Sequence, residues 1–84
     1  MTSAPVYCVF ILTKMEGSSF NEYFKGVFQN QEAALKYCKG NDEMREKRGA
    51  ERCGAPVISS RENAAKKNFH LPMFYVIEEH IPSQ

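Results

Sequence analysis

Long apolar runs are missing from this sequence of 84 residues. The longest one, Val6 to Leu12, is much shorter than the roughly 20 residues that a helix needs to cross a bilayer. Residues Met1 to Pro5 include no basic side chain, and no small-residue cleavage site follows them, which is not typical of a secretory signal peptide. We therefore expect a cytoplasmic protein without a membrane partner.

Paired cysteines are missing as well. Cys8, Cys38 and Cys53 form no close pair and have no metal-type spacing, as expected in a reducing compartment. Cys8 belongs to a strand pattern and Cys38 to the apolar side of a helix, where a free thiol behaves as a small hydrophobe. The guanidinium of Arg52 favours a thiolate at Cys53, so we expect Cys53 alone to react quickly with a thiol reagent. An unreactive loop cysteine is the alternative.

Motifs of catalysis and cofactor binding are also missing. The sequence contains no phosphate loop, dinucleotide fingerprint, nucleophile elbow or metalloprotease helix. Cys53, His70 and His80 have spacings that match no usual zinc site, which needs about four ligands. Glu78 and Glu79 are neighbours in a strand pattern, so their carboxylates point to opposite faces and cannot act as a paired acid and base. We expect neither an enzyme nor a bound metal or cofactor.

Three strands are predicted by runs of β-branched and aromatic residues. Val6 to Lys14 is apolar on both faces, which is typical of a central strand. Gly17 to Ser19 can form the turn of a hairpin that returns as Tyr23 to Phe28, and Gly26 indicates a bulge in this edge strand. Met73 to His80 is the third strand. If it lies beside the first, the strand order is 2-1-3.

A short amphipathic helix follows the second strand. Asn30 is a good N-cap for it, and Gly40 offers a left-handed C-cap. One face of this helix is apolar and is expected to lie on the sheet. Its residues are Ala34, Leu35 and Cys38.

The next segments are charged and contain few apolar residues. Asn41 to Gly54 predicts a second, exposed helix that Gly49 weakens by about 1 kcal/mol relative to alanine. Ser59 and Glu62 have the spacing of a capping box, which predicts a short helix over Ser60 to Lys67.

Together these patterns predict one α+β domain over residues 1–84. Its core would be a three-stranded antiparallel sheet with one main amphipathic helix and one or two short charged helices. Residues 41–71 would form a charged, weakly structured insertion before the last strand.

The second apolar face of the first strand also needs cover, either from Pro56 to Leu71 or from another subunit. We favour a homodimer, since an exposed apolar patch usually marks an interaction surface.

Charge is divided unevenly along the chain. Met44 to Asn68 contains seven basic and three acidic residues, whereas the rest contains four basic and seven acidic ones. A basic segment suits an anionic partner, either another protein or a protein–nucleic acid complex, and opposite patches also suit self-association. Nucleic acid alone is less favoured as a partner. Dedicated nucleic-acid-binding domains have a pI above about 9, whereas the pI of this chain is near 7.7. A solvated face without a function is the alternative.

Basic side chains in this segment are the candidate contacts, because they form charge-assisted hydrogen bonds with carboxylate or phosphate. The predicted partner-binding residues are Arg45, Lys47, Arg48 and Arg52. On a helix, the three arginines would form one basic stripe, and replacing them with alanine should leave the melting temperature nearly unchanged.

The alternative is a small oligomeric binder of an anionic ligand such as a nucleotide or nucleic acid. Its ligand-binding residues would be Arg61, Lys66, Lys67 and Tyr75.

Three stretches, "YCVFILTK", "FKGVFQNQEAALKYC" and "FYVIEEHIP", resemble a recurring type of very small protein encoded by bacteriophages and other mobile elements. Several proteins of that type are anti-defence factors, including anti-CRISPR proteins that block an effector complex by occupying a surface. The resemblance implies a non-enzymatic inhibitor or adaptor that acts in the host cytoplasm. It assigns no functional residue, and a purely structural accessory protein is a further possibility.

Overall fold

A mixed sheet of four strands lies between two helices in the computed structural model, which describes residues 4–17 and 19–82. The elements along the chain are β1 (Val6–Lys14), β2 (Phe20–Phe28), α1 (Gln31–Lys47), β3 (Val57–Ile58), α2 (Arg61–Lys67) and β4 (Met73–His80). The strand order is β2-β1-β4-β3, with β1 antiparallel to both β2 and β4. Neither described helix is long and apolar enough to cross a membrane.

The predicted strands are confirmed, and so is the central position of β1. Both β1 and β4 have the predicted bounds, whereas β2 begins three residues earlier than Tyr23. The bulge predicted at Gly26 is also present, because Val9 pairs with Gly26 while Phe10 pairs with Phe24. The predicted turn between β1 and β2 includes Ser18, which lies outside the described residues.

The prediction of three antiparallel strands is wrong, because a short fourth strand extends the sheet. Val57 pairs with Val76 and Ile58 with Ile77, and both pairs are parallel. The chain then returns to the start of β4 through α2, which is how parallel neighbours are usually connected. A strand of two residues shows no alternation, so the sequence pattern could not reveal it.

The prediction that the first helix ends at Gly40 is also wrong. Asn30 caps α1 as predicted, its Oδ1 accepting a hydrogen bond of 2.8 Å from the main-chain N–H of Ala33. The helix then continues through Gly40 to Lys47, and the left-handed turn occurs at Gly49, whose φ is 80°. The charged helix expected after residue 40 is therefore the second half of α1. The described residues therefore contain two helices: the separate helix predicted over Asn41 to Gly54 is wrong, whereas α2 confirms the short helix predicted over Ser60 to Lys67.

Each face of the sheet is covered by one helix. The first core, under α1, contains Val9, Ile11, Ala34, Cys38, Tyr75 and Ile77. The second core, under α2, contains Phe10, Leu12, Ala64, Phe74 and Val76. Ser60 rather than Ser59 caps α2, since the Ser60 hydroxyl accepts a hydrogen bond of 3.2 Å from the main-chain N–H of Asn63. The Pro56 to Leu71 segment thus provides cover for the second face.

Candidate interaction surface

Cover of the second face is incomplete, because α2 has only seven residues. Phe24, on the edge strand β2, keeps 58% of its surface exposed on this face, and Val27 is exposed beside it. Phe24 packs edge to face on Phe10 with 5.5 Å between ring centroids. Cys8 pairs with Val27 and completes the patch. We call the patch formed by Cys8, Phe10, Phe24 and Val27 the Phe24 surface.

Arg61, the first residue of α2, forms one rim of the Phe24 surface. Its guanidinium lies over the ring of Phe10, 4.1 Å from the centroid, in a cation–π contact. Its Nη1 is 2.9 Å from Glu22 Oε1, and its Nε is 3.0 Å from Glu78 Oε2. The main-chain N–H of Arg61 donates to the same Glu78 oxygen. These contacts fix one planar cation beside an exposed aromatic ring.

Glu78 is a buried carboxylate, with 6% of its surface exposed. Its second oxygen is 2.8 Å from Nε2 of His80. Burial alone would raise the pKa of Glu78, but hydrogen bonds from the Arg61 main chain, His80 and the Arg61 guanidinium outweigh it. The pKa therefore lies below its usual value. Glu78 stays ionised at neutral pH and holds the rim in place.

The cleft beside this rim has a volume of about 440 Å³ and is mainly acidic. Carboxylates of Glu22, Glu62 and Glu78 line it, and among the described residues Arg61 is the one cation there. An anionic ligand would meet three like charges there, so the cleft does not suit a nucleotide.

The predicted partner-binding arginines are separated by the structure. Since α1 ends at Lys47 and the chain turns at Gly49, Arg52 does not continue a helical stripe with Arg45 and Arg48. Lys47 and Arg48 are exposed at the end of α1. The basic stripe that we predicted is therefore not formed.

Arg45 and Arg52 are used within the fold. The Arg45 guanidinium donates a hydrogen bond of 3.1 Å to the carbonyl of Glu51. Arg52 forms ion pairs of 3.0 Å with both Asp42 and Glu46, and half of its side chain is exposed. Both arginines thus tie the segment after α1 back to the helix.

The alternative set of ligand residues is also divided. Tyr75 has none of its surface exposed and lies in the first core, where its hydroxyl accepts a hydrogen bond of 2.7 Å from Asn41. Arg61, Lys66 and Lys67 belong to α2 on the opposite face. Tyr75 therefore cannot stack on a ligand that these cations bind.

The burial and pKa values of the cysteines agree only in part with the reactivity that we predicted. Cys38 is 1% exposed, and burial raises its pKa to about 11, which fits an inert core thiol. Burial also raises the pKa of Cys53, and Arg45 opposes this effect. Arg52, the neighbour expected to favour the thiolate, is turned towards Asp42. Cys8 is partly exposed at the Phe24 surface.

Sequence reasoning missed the Phe24 surface. Phe24 shares one face of an edge strand with the charged Glu22, which was a usable signal of a half-exposed aromatic residue. The contacts of Arg61 with Glu78 and Glu22 join residues 17 and 39 positions apart, and no local pattern indicates them.

Comparison with family models, curated proteins and solved structures gives no match to this chain. The resemblance to small phage-encoded proteins stays a prediction. Within the described residues, no group of three or more His, Cys, Asp or Glu side chains could hold a metal ion.

Proposed function

We propose that this protein is a non-enzymatic binding protein of the cytoplasm, an inhibitor or adaptor that covers a surface of a larger macromolecular complex. It docks through the Phe24 surface. The observation that carries the proposal is Phe24 itself, a large aromatic side chain 58% exposed on an edge strand and supported from below by Phe10. Aromatic residues, Phe among them, and arginine are enriched in the cores of protein interfaces.

The rim supports a protein partner in preference to a nucleic acid. Arg61 is held by two carboxylates and a ring, so little conformational entropy is lost when a partner packs against it. The acidic groups of Glu22 and Glu78 would repel phosphates. An apolar side chain of a protein partner can instead pack on Phe24 and Val27 without burying an unpaired charge.

The exposed basic residues at the end of α1 have a secondary role in this proposal. Lys47 and Arg48 are free to attract an acidic region of the partner, which raises the association rate more than the affinity. In a phage or mobile-element setting, the partner would be a host defence complex, and binding would block its working site sterically.

Affinity purification tests the proposal, with tagged protein and an extract of the native host. Phe24→Ser removes the anchor, and Ile58→Ser is the matched control, because Ile58 is 51% exposed at the opposite edge of the sheet. We expect the unchanged protein and the control to retain one specific protein, identified by mass spectrometry, and Phe24→Ser to lose it. Retention of that protein by a folded Phe24→Ser variant would overturn the proposal.

A further inference from the structure

We propose that a second copy of this chain pairs with the outer edge of β2, in antiparallel orientation about a two-fold axis at Tyr23. The two sheets then form one continuous sheet of eight strands. This inference rests on the proposed function and extends it, because pairing places two Phe24 surfaces side by side. The partner of the edge strand is thus specified as an identical chain.

The hydrogen-bonding pattern shows which main-chain groups are available. The N–H of Met15 donates to the carbonyl of Ser19 at 2.9 Å, whereas the N–H of Lys14 points the other way and donates to Pro72 at 2.8 Å. Hydrogen-bonded pairs alternate along an antiparallel ladder, so every second residue of β2 directs its N–H and C=O away from β1. Those residues are Phe20, Glu22 and Phe24.

The other edge of the sheet has far fewer residues available for pairing with another strand. There β3 contributes only two residues, whereas β2 has nine, and no strand of the described chain pairs with the outer side of β2. The regular part of β2 ends near Lys25, where the bulge begins. A ladder centred on Tyr23 runs from Asn21 to Lys25 and fits within this limit.

Avoidance of like charges selects the orientation and the centre. β2 contains one acidic residue, Glu22. Antiparallel pairing about Tyr23 places Glu22 opposite Phe24 of the second copy, so the two Glu22 carboxylates do not face each other. Parallel pairing in register, or an antiparallel centre at Glu22, would set the two Glu22 carboxylates opposite each other, which is destabilising.

The apolar groups of β2 fit the same arrangement. Tyr23 is half exposed and would meet its own copy across the axis, in a pair whose Cα atoms are about 4.5 Å apart. Because this axis is perpendicular to the sheet, the second face of each copy lies on the same side. Phe24 of both copies then belongs to one continuous apolar area.

Cross-linking at the axis is the first test. Tyr23→Cys in a Cys8→Ser, Cys53→Ser background should form a disulfide-linked dimer with a mild oxidant such as copper phenanthroline, because a residue on the axis faces itself within disulfide range. Ile58→Cys in the same background is the control and should remain largely monomeric. Equal cross-linking of both variants, or none at Tyr23→Cys, would overturn the inference.

Light scattering with a matched pair of variants is the second test. The unchanged protein should have twice the mass of one chain. Glu22→Pro removes the outward N–H and should halve this mass, whereas Glu22→Ala loses the same ion pair with Arg61 but keeps the N–H and should remain dimeric. A monomer at the highest soluble concentration would contradict the inference. Should Glu22→Pro fail to fold, the cross-linking result decides.

The two proposals can fail separately. A monomer that still captures its partner through Phe24 would remove the second copy and leave the proposed function intact. A dimer that cross-links at Tyr23→Cys but captures no protein would support pairing with a second copy and contradict the proposed function.

Discussion

One carboxylate oxygen of Glu78 accepts hydrogen bonds from both the main-chain N–H and the Nε of Arg61. This contact anchors the first turn of α2 to the sheet, and α2 is the cover of the second core. The rim of the Phe24 surface and the stability of the fold therefore depend on the same side chain.

Glu78→Gln should lower the free energy of unfolding by about 1.5–3 kcal/mol, because hydrogen bonds to a charged group are replaced by weaker neutral ones. Glu79→Gln is the control, since Glu79 is the exposed neighbour and accepts one hydrogen bond from Tyr7 that an amide oxygen can keep. It should change stability by less than about 0.5 kcal/mol. Urea unfolding measures both. Equal effects would show that Glu78 does not anchor α2.

The same contact has a defined pH dependence. The pKa of Glu78 is lower in the folded protein than the value of 4.5 that is usual for glutamate in an unfolded chain. Its contribution to stability is therefore complete above that value and is lost as the pH falls through the folded pKa. The stability difference between Glu78→Gln and the unchanged protein should thus shrink below about pH 4. A difference that persists in acid would contradict this assignment.

Two glycines of α1 should respond to alanine in opposite directions. Gly40 lies inside the helix with no atom within 4 Å of an added Cβ, so Gly40→Ala should stabilise the protein by about 1 kcal/mol. Gly49 has a φ of 80° after the helix, so Gly49→Ala should destabilise it by about 1–2 kcal/mol. Thermal melting checks the pair. A loss of stability in Gly40→Ala would mean that α1 does not pass through residue 40.

Alanine substitutions of Arg45 and Arg48 at the end of α1 should differ in their effect on stability. Arg45→Ala removes a partly buried side chain that donates to the carbonyl of Glu51, and should cost about 1–2 kcal/mol. Arg48→Ala alters an exposed side chain and should cost less than about 0.5 kcal/mol. Equal melting temperatures for the two variants would restore the surface role predicted for Arg45.

Thiol labelling should proceed in a defined order. Cys38 should react last, because it is buried and its pKa is raised to about 11. Asp42→Asn should then accelerate Cys53 selectively, since the Asp42 carboxylate accepts the main-chain N–H of Cys53 at 2.8 Å and pairs with Arg52. Mass spectrometry of the native protein gives the rates. Faster labelling of Cys38 than of Cys53 would contradict the assigned first core.

Local sequence patterns were sufficient for the main strands and for the start of α1. The bounds of β1 and β4, the cap at Asn30 and the bulge at Gly26 all depend on neighbouring residues, and these predictions are confirmed. The end of α1 could not be predicted in the same way. Gly40 is a plausible stop by propensity, but it weakens a helix by only about 1 kcal/mol, and tertiary contacts in the second half of α1 exceed that cost.

The α+β class and the central, doubly apolar β1 could be predicted from the sequence, since both follow from alternation within single segments. Which charged side chains remain unpaired depends on contacts between elements that are distant in the sequence. Arg45, Arg52 and Arg61 have the same formal charge as Arg48, but their partners lie on other elements of the fold. The pairing of β3 and the exposure of Phe24 likewise depend on where a seven-residue α2 lies on the sheet, because burial is a property of the assembled faces and not of any one segment.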